Sequence, residues 1–288
     1  MNKNAFLLVN KPVGITSFGV ISKLRKILSI KKIGHAGVLD KSASGLLVCG
    51  IGKATRLLSI FENEYKVYEA EITFGLLTNT LDMAGIVLKR ETCIINEQTM
   101  RGALKNFIGE IEQSVPIYSN VKVNGKKLYQ YALSGEEVHL PSRRIFIYSI
   151  DIIDMGANTV YLKIKCSKGT YIRSLANDIA KALGTYGTVS RLKRTKIHPF
   201  KIEDSICLDQ NEESIKNNII SIYDALAFLP NIVVEDRYIA NVSNGVPIEK
   251  ISNCENIING YYKVLDSNSN VLAIIYLNNG KAIHNVVL

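Results

Sequence analysis

No stretch of the 288-residue chain stays apolar for the roughly 18 residues that a membrane-spanning helix needs. The apolar run near the start, Phe6 to Val9, is too short for a secretory signal, and Lys11-Pro12 breaks it. Cysteine is scarce and scattered, at positions 49, 93, 166, 207 and 254. The count is odd and no two have metal-ligand or redox spacing, which points to reduced thiols in a cytoplasmic protein. The four histidines do not cluster either, so no zinc site is expected. Gly50-Ile51-Gly52-Lys53-Ala54-Thr55 lacks the parts of a nucleotide loop. Leu47 stands where a phosphate-binding loop needs its first glycine, and Ala54 where it needs Ser or Thr. Thr55 stands where a dinucleotide fingerprint needs its last small residue. No Gly-x-Ser-x-Gly elbow occurs, nor any internal repeat or low-complexity tract.

What is present is a concentrated positive charge. Residues 163–201 hold ten Lys or Arg against one acid, Asp178, and so carry the whole net charge of +9. Such a window is either a solvated basic face or the footprint of a polyanion partner. A weaker basic set, Lys122, Lys126, Lys127, Arg143 and Arg144, is interleaved with Tyr118, Tyr129, Tyr131 and Tyr148. Cations with aromatics suit phosphates with unstacked bases.

The apolar content of 47% supports a sizeable core. Phe6 to Val9 reads as a buried strand. Thr16 or Ser17 can cap a helix whose stripe is Val20, Ile21, Leu24, Ile27 and Leu28. A helix is predicted from Lys53 to Phe61. Residues 66–74 alternate, with Tyr68, Ala70, Ile72 and Phe74 facing inward. Asn96 can cap a helix with Met100, Ala103, Leu104 and Phe107 inward. Residues 118–144 are basic and turn-rich and read as a mobile projection. Val160, Leu162, Ile164 and Cys166 alternate as a strand. After the Ser167–Thr170 turn comes a helical stripe from Ile172 to Leu183 that stops at Gly184. Strands follow one another without a regular strand–helix rhythm. That pattern predicts an α+β fold with a mixed, largely antiparallel central sheet and flanking helices. A boundary is predicted at Leu229-Pro230, giving a 1–229 domain and a small β-rich 230–288 domain whose Asn-Gly pairs suit hairpins.

Gly34-His35-Ala36-Gly37-Val38-Leu39-Asp40-Lys41-Ser42-Ala43-Ser44-Gly45 places one carboxylate, Asp40, in a glycine-rich loop. Asp favours turns on its own account, so spacing alone leaves Asp40 either a solvated turn residue or a working group. Tyr68 is either a core tyrosine at a rim or a ring free to stack on a base. Tyr171 and Arg173 sit at the mouth of a helix. A cation there opposes the helix dipole, so Arg173 is either solvated or faces an anion.

The 34–45 segment resembles the Gly-His-Thr-Gly-Thr-Leu-Asp-Pro-x-Ala-Thr-Gly motif of the bacterial tRNA pseudouridine-55 synthases. Five further segments resemble that family in order: Lys11-Pro12-x-Gly14-x-Thr16-Ser17, Lys66-Val67-Tyr68, Thr78-x-Thr80-x-Asp82-x-x-Gly85, the Tyr118–Ala132 stretch and Cys166–Arg173. Ala36, Val38, Lys41, Ser44 and Asn79 depart from its pattern. The resemblance implies a pseudouridine synthase fold with a small C-terminal domain, and an isomerase of tRNA uridine 55. The reaction breaks the N1–C1′ bond of a flipped-out uridine and rejoins the base through C5, so neither cofactor nor metal is required. By resemblance Asp40 attacks C1′ or abstracts the 2′ proton, Arg173 holds Asp40 ionised, and Tyr68 stacks on the base and accepts the C5 proton. His35, Tyr171, Leu192, Lys11 and Asp82 complete the substrate site. The implied partner is the T-arm stem-loop of tRNA, held by the projection at 118–144 and the basic window, with no membrane and no required protein partner. The chain is expected to act as a monomer. Two other readings remain: a synthase of the guide-RNA-dependent branch, and a tRNA-folding helper without catalysis. Residues 232–288 hold four basic and five acidic residues, which gives this segment no electrostatic grip on RNA.

Overall fold

Two adjacent strands, Ala5–Lys11 and Ser44–Ile51, run almost wholly apolar and are buried nearly end to end. Strands without alternation must be covered on both faces, and these are. In the computed structural model, which describes residues 4–251 and 258–288, Phe6, Leu8, Leu46 and Val48 pack into one core. Leu7, Val9, Leu47 and Cys49 pack into another, beneath the Ser17–Leu28 helix. Thr16 caps that helix by accepting a hydrogen bond from the Gly19 amide, and Val20, Ile21, Leu24 and Leu28 form its buried stripe.

The strands Lys66–Phe74 and Thr159–Cys166 alternate instead. Ala70, Ile72, Phe74, Val160, Leu162, Ile164 and Cys166 share a core with the Ile172–Ala182 helix. Met100 and Leu104, from the Asn96-capped Glu97–Lys105 helix, enter the same core.

All these strands belong to one sheet, ordered Ile206–Cys207, Ala5–Lys11, Ser44–Ile51, Gly187–Ile197, Lys66–Phe74, Thr159–Cys166, Ser142–Met155 and Gly109–Ser114. Neighbours are antiparallel except at two junctions, Ile206–Cys207 on Ala5–Lys11 and Ser44–Ile51 on Gly187–Ile197. The mixed, largely antiparallel sheet expected from the sequence is therefore present.

Two segments differ from expectation. The 34–45 segment is not loop throughout, because Ile33–Ala36 is a strand paired to Ser44–Ile51. The 53–61 stretch begins as a 3₁₀ turn, Gly52–Leu57, before the short α-helix Leu58–Asn63. Within 118–144 lie a two-residue hairpin, Lys122–Val123 with Lys126–Lys127, and the helix Leu128–Ser134.

A second sheet, Asn231–Val233, Gly260–Leu265, Val271–Asn278 and Lys281–Val287, follows Leu229-Pro230. It is not an isolated appendage. Ile274 and Val286 pack with Leu226, Leu229, Phe61 and Leu8 in one core. The four described cysteines are free, and Cys254 lies outside the described residues. Among the described residues no helix is long and apolar enough to cross a membrane.

Candidate active site

The site forms where the two kinds of strand meet. Lys193 and Arg194 pair in parallel with Ser44 and Gly45, so the start of one strand butts against the end of another. Gly45 has φ +111°, and a Cβ there would lie 2.3 Å from the Arg194 carbonyl oxygen. Only glycine fits such an approach. This glycine makes room for a neighbouring strand.

The turn carrying Asp40 is pinned from beneath. Leu39 N donates to Ser17 Oγ at 2.9 Å, Gly14 N donates to the Lys41 carbonyl at 2.8 Å, and Ala43 N closes back on the Asp40 carbonyl. Lys11 is fully buried, and its ammonium donates to the Pro12, Ile15 and Ala43 carbonyls. Burial pulls the Lys11 ammonium down to about 8, against the opposing pull of Asp40. Lys11 thus ties the Asp40 turn to the first strand and does not line the cleft. Asp82 does comparable work from the other side. Its carboxylate accepts from Ser42 Oγ at 2.8 Å, Thr80 Oγ1 at 2.6 Å and Ala84 N at 3.1 Å.

Arg173 reaches Asp40 from the first turn of its helix. Nε lies 2.9 Å from Oδ2 and Nη2 lies 3.4 Å from Oδ1, a two-pronged contact. The remaining donors go to the Thr80 carbonyl at 2.7 Å and the Tyr118 carbonyl at 3.1 Å. The Arg173 side chain is 6% exposed and that of Asp40 40%, so the carboxylate keeps an open edge while its partner is enclosed. The cation that opposes its own helix dipole is explained by this anion.

Asp40, Tyr68, Tyr171, Leu192 and Arg173 all line one cleft of about 1250 Å³. Burial pushes the Tyr68 phenol up, while the charge of the Arg194 guanidinium, opposite it in register, opposes that shift. His35 stands apart from this lining. It sits within Ile33–Ala36 opposite Cys49, with its Nδ1 buried and unpartnered, and burial lowers its basicity.

Two residues escaped the sequence reading. Gln113 is 1% exposed and clamps the Tyr171 backbone, accepting from its N–H at 2.8 Å and donating to its carbonyl at 3.0 Å. Arg194 is 1% exposed and sits against Tyr68 at the cleft wall. A buried glutamine and one arginine in a basic run carry no local signal. Only the register that sets Arg194 opposite Tyr68 reveals the second.

A pinned carboxylate gripped by a buried arginine, beneath two tyrosines and a leucine, suits attack on a sugar carbon with an unstacked base held alongside. A family model described as TruB family pseudouridylate synthase (N terminal domain) matches residues 25–172. The chain belongs to that family. It is 42% identical to the tRNA pseudouridine synthase B of Clostridium kluyveri, over 85% of this chain and 86% of that protein. It is 39% identical to the protein of the same name from Borreliella burgdorferi, over 95% of each. Among solved structures, a chain from the crystal structure of a Cbf5-Nop10-Gar1 complex covers 99% of this one, and 84% of that chain is matched. Its TM-score is 0.75 at 26% identity. The departures from the TruB pattern have plain places. Ala36 is core, Val38 and Lys41 are exposed, and Ser44 Oγ approaches the Leu192 carbonyl at 3.5 Å. Asn79 accepts from Ile86 N and donates to the Tyr118 hydroxyl, a bond an aspartate there could not give.

Proposed function

We propose that this TruB-family pseudouridine synthase isomerises uridine 55 in the T arm of tRNA, with Asp40 as the reacting carboxylate. The observation that carries this reading is the two-pronged Arg173–Asp40 pair at the floor of the cleft. Arg173 favours the ionised carboxylate and fixes the direction of its lone pairs. The open edge of Asp40 faces the space where a flipped nucleotide presents C1′ and the 2′ carbon. Leaving of N1 transfers its bonding pair to the uracil, which turns and returns through C5. Tyr68, on the cleft wall, then accepts the C5 proton. Tyr171 and Leu192 enclose the ring, with Arg143 over the Tyr171 ring at 5.3 Å. We assign Lys11 and Asp82 to holding the turn, and the projection at 118–144 to gripping the RNA. Residues 1–229 are taken as the catalytic part and 230–288 as a small β-rich domain docked on it.

The chain is proposed to work in the cytoplasm as a monomer on tRNA alone. Identity near 40% to synthases named for tRNA, against 26% for the Cbf5 chain, favours this over the guide-RNA-dependent branch. The test is single-turnover conversion of an unmodified tRNA transcript by the purified chain without guide RNA. Asp40→Asn is expected to lower the rate on the order of 10⁴-fold or more, by analogy with loss of a nucleophile, while tRNA binding stays within a few-fold. Turnover by Asp40→Asn, or conversion only with added guide RNA, would overturn the reading.

A further inference from the structure

Arg194 is the largest fully buried side chain of the described residues and has no obvious reason to be charged. Nε donates to the Leu46 carbonyl at 2.9 Å and Nη2 to the Gly37 carbonyl at 3.1 Å. Among the described residues no carboxylate lies within ion-pair distance of it. Arginine keeps its proton under all working conditions. An uncompensated buried cation is costly and draws any neighbouring group toward its anionic form. The titratable groups around it are the cations Lys11 and Lys66, His35, the buried thiol of Cys166, the phenol of Tyr68 and, along the same cleft beyond ion-pair distance, the carboxylates of Asp40 and Glu62. Of these, only Tyr68 lies opposite Arg194 in register and lines the same cleft wall as Arg194 and Asp40.

We propose that Arg194 is a positioning residue that acts through Tyr68, holding the phenol oxygen over the base and favouring phenolate as the C5 proton leaves. The proposal rests on the reading that Tyr68 accepts that proton. Once the base has rejoined C1′ through C5, that carbon carries both the new bond and its hydrogen. Tyr68 takes the proton. The C–H pair becomes the C5=C6 double bond, the N1=C6 electrons return to N1, and N1 takes a proton from water. Tyr68 returns its own proton to water. Arg194 stays protonated throughout and does not touch the reacting atoms. Its bonds to Leu46 and Gly37 fix it relative to the turn that carries Asp40, so base and carboxylate are held in one frame.

The experiment uses the full chain and tRNA carrying hydrogen or deuterium at C5 of the target uridine. Arg194→Met is expected to slow single turnover by about 10²-fold, the usual size of a general-base contribution. The deficit should shrink as pH rises, because solvent then ionises the phenol. Arg194→Lys keeps the charge and should recover part of the rate. In both variants the deuterium effect should exceed that of the unchanged protein. Tyr68→Phe and the Tyr68→Phe, Arg194→Lys double variant should turn over equally slowly, since one acts through the other. If Arg194→Met does not fold, the lysine variant and the isotope comparison decide alone. A deuterium effect unchanged from the parent, or losses that multiply in the double variant, would overturn the proposal. Normal turnover by Tyr68→Phe would instead overturn the reading of Tyr68.

Discussion

The large sheet is two sheets in character. Its Ala5–Lys11 and Ser44–Ile51 strands are buried on both faces, while Lys66–Phe74 and Thr159–Cys166 bury one face and show charge on the other. On that second face the charges are ordered. Lys193 lies opposite Glu69, Glu69 opposite Lys163, and Lys163 opposite Asp151, so signs alternate across four strands. Arg191 pairs with Glu71 at 3.1 Å one step along. The doubly covered half supplies the Asp40 turn and the half-covered one supplies Tyr68, Leu192 and Arg173. Each half lacks what the other brings, and the cleft with its Arg173–Asp40 pair exists only at their seam.

The strongest way to break this arrangement is at Gly45. An alanine there meets the Arg194 backbone and must also hold a φ of +111°. Gly45→Ala is expected to cost about 3 kcal/mol or more, with pseudouridine formation lost before global unfolding. Denaturant titration beside a rate measurement checks it. A variant as stable and active as the parent would show that the seam yields easily.

How much of this was legible in sequence follows the same division. Alternation exposed the inward faces of Lys66–Phe74 and Thr159–Cys166, and helical spacing exposed the Ser17–Leu28 and Ile172–Ala182 stripes. The Asp40 turn, Tyr68 and Arg173 were found by motif resemblance, because a lone carboxylate in a turn has no chemical signature of its own. What stayed hidden was cross-strand register. It decides that Lys163 and Lys193 answer acids while Arg194 lines the cleft, although all three lie in one basic window. It also explains Gly45, which lets the Arg194 backbone pair closely alongside.

Each half also buries an ammonium, Lys11 in one and Lys66 in the other, and burial holds both at about 8. Their folded values lie below the ordinary 10.5, so above pH 8 the unfolded chain binds more protons than the folded one. Stability therefore rises with pH from about 8, by at most about 1.4 kcal/mol per unit for each lysine. The buried thiols of Cys49 and Cys166, pushed up to about 12 from 9, act in the opposite sense once unfolded thiols ionise. The rise should flatten above pH 9. Denaturant midpoints across this range should show the rise halved in Lys11→Met and restored above pH 9 in Cys49→Ala. A flat profile from pH 8 to 9 would remove the buried ammonium charges from the account.

The smallest effect separates the two destinations of the basic window. Lys168 is exposed at the cleft, bonded to Asn63 Oδ1 at 2.8 Å and free to meet a phosphate. Lys163 is also exposed, but it stands between Glu69 and Asp151 on the far face. Surface charge pairs of that kind contribute little to stability, typically about 0.2–1 kcal/mol. Lys168→Ala is expected to weaken tRNA binding and to lower the steepness of its salt dependence by about one ion. Lys163→Ala should leave that slope unchanged, because its field is already answered by two carboxylates. Binding titrations at several salt concentrations compare the two directly. Equal slopes for both variants would mean that RNA reaches the alternating-charge face as well, and that the window works as one surface despite its register.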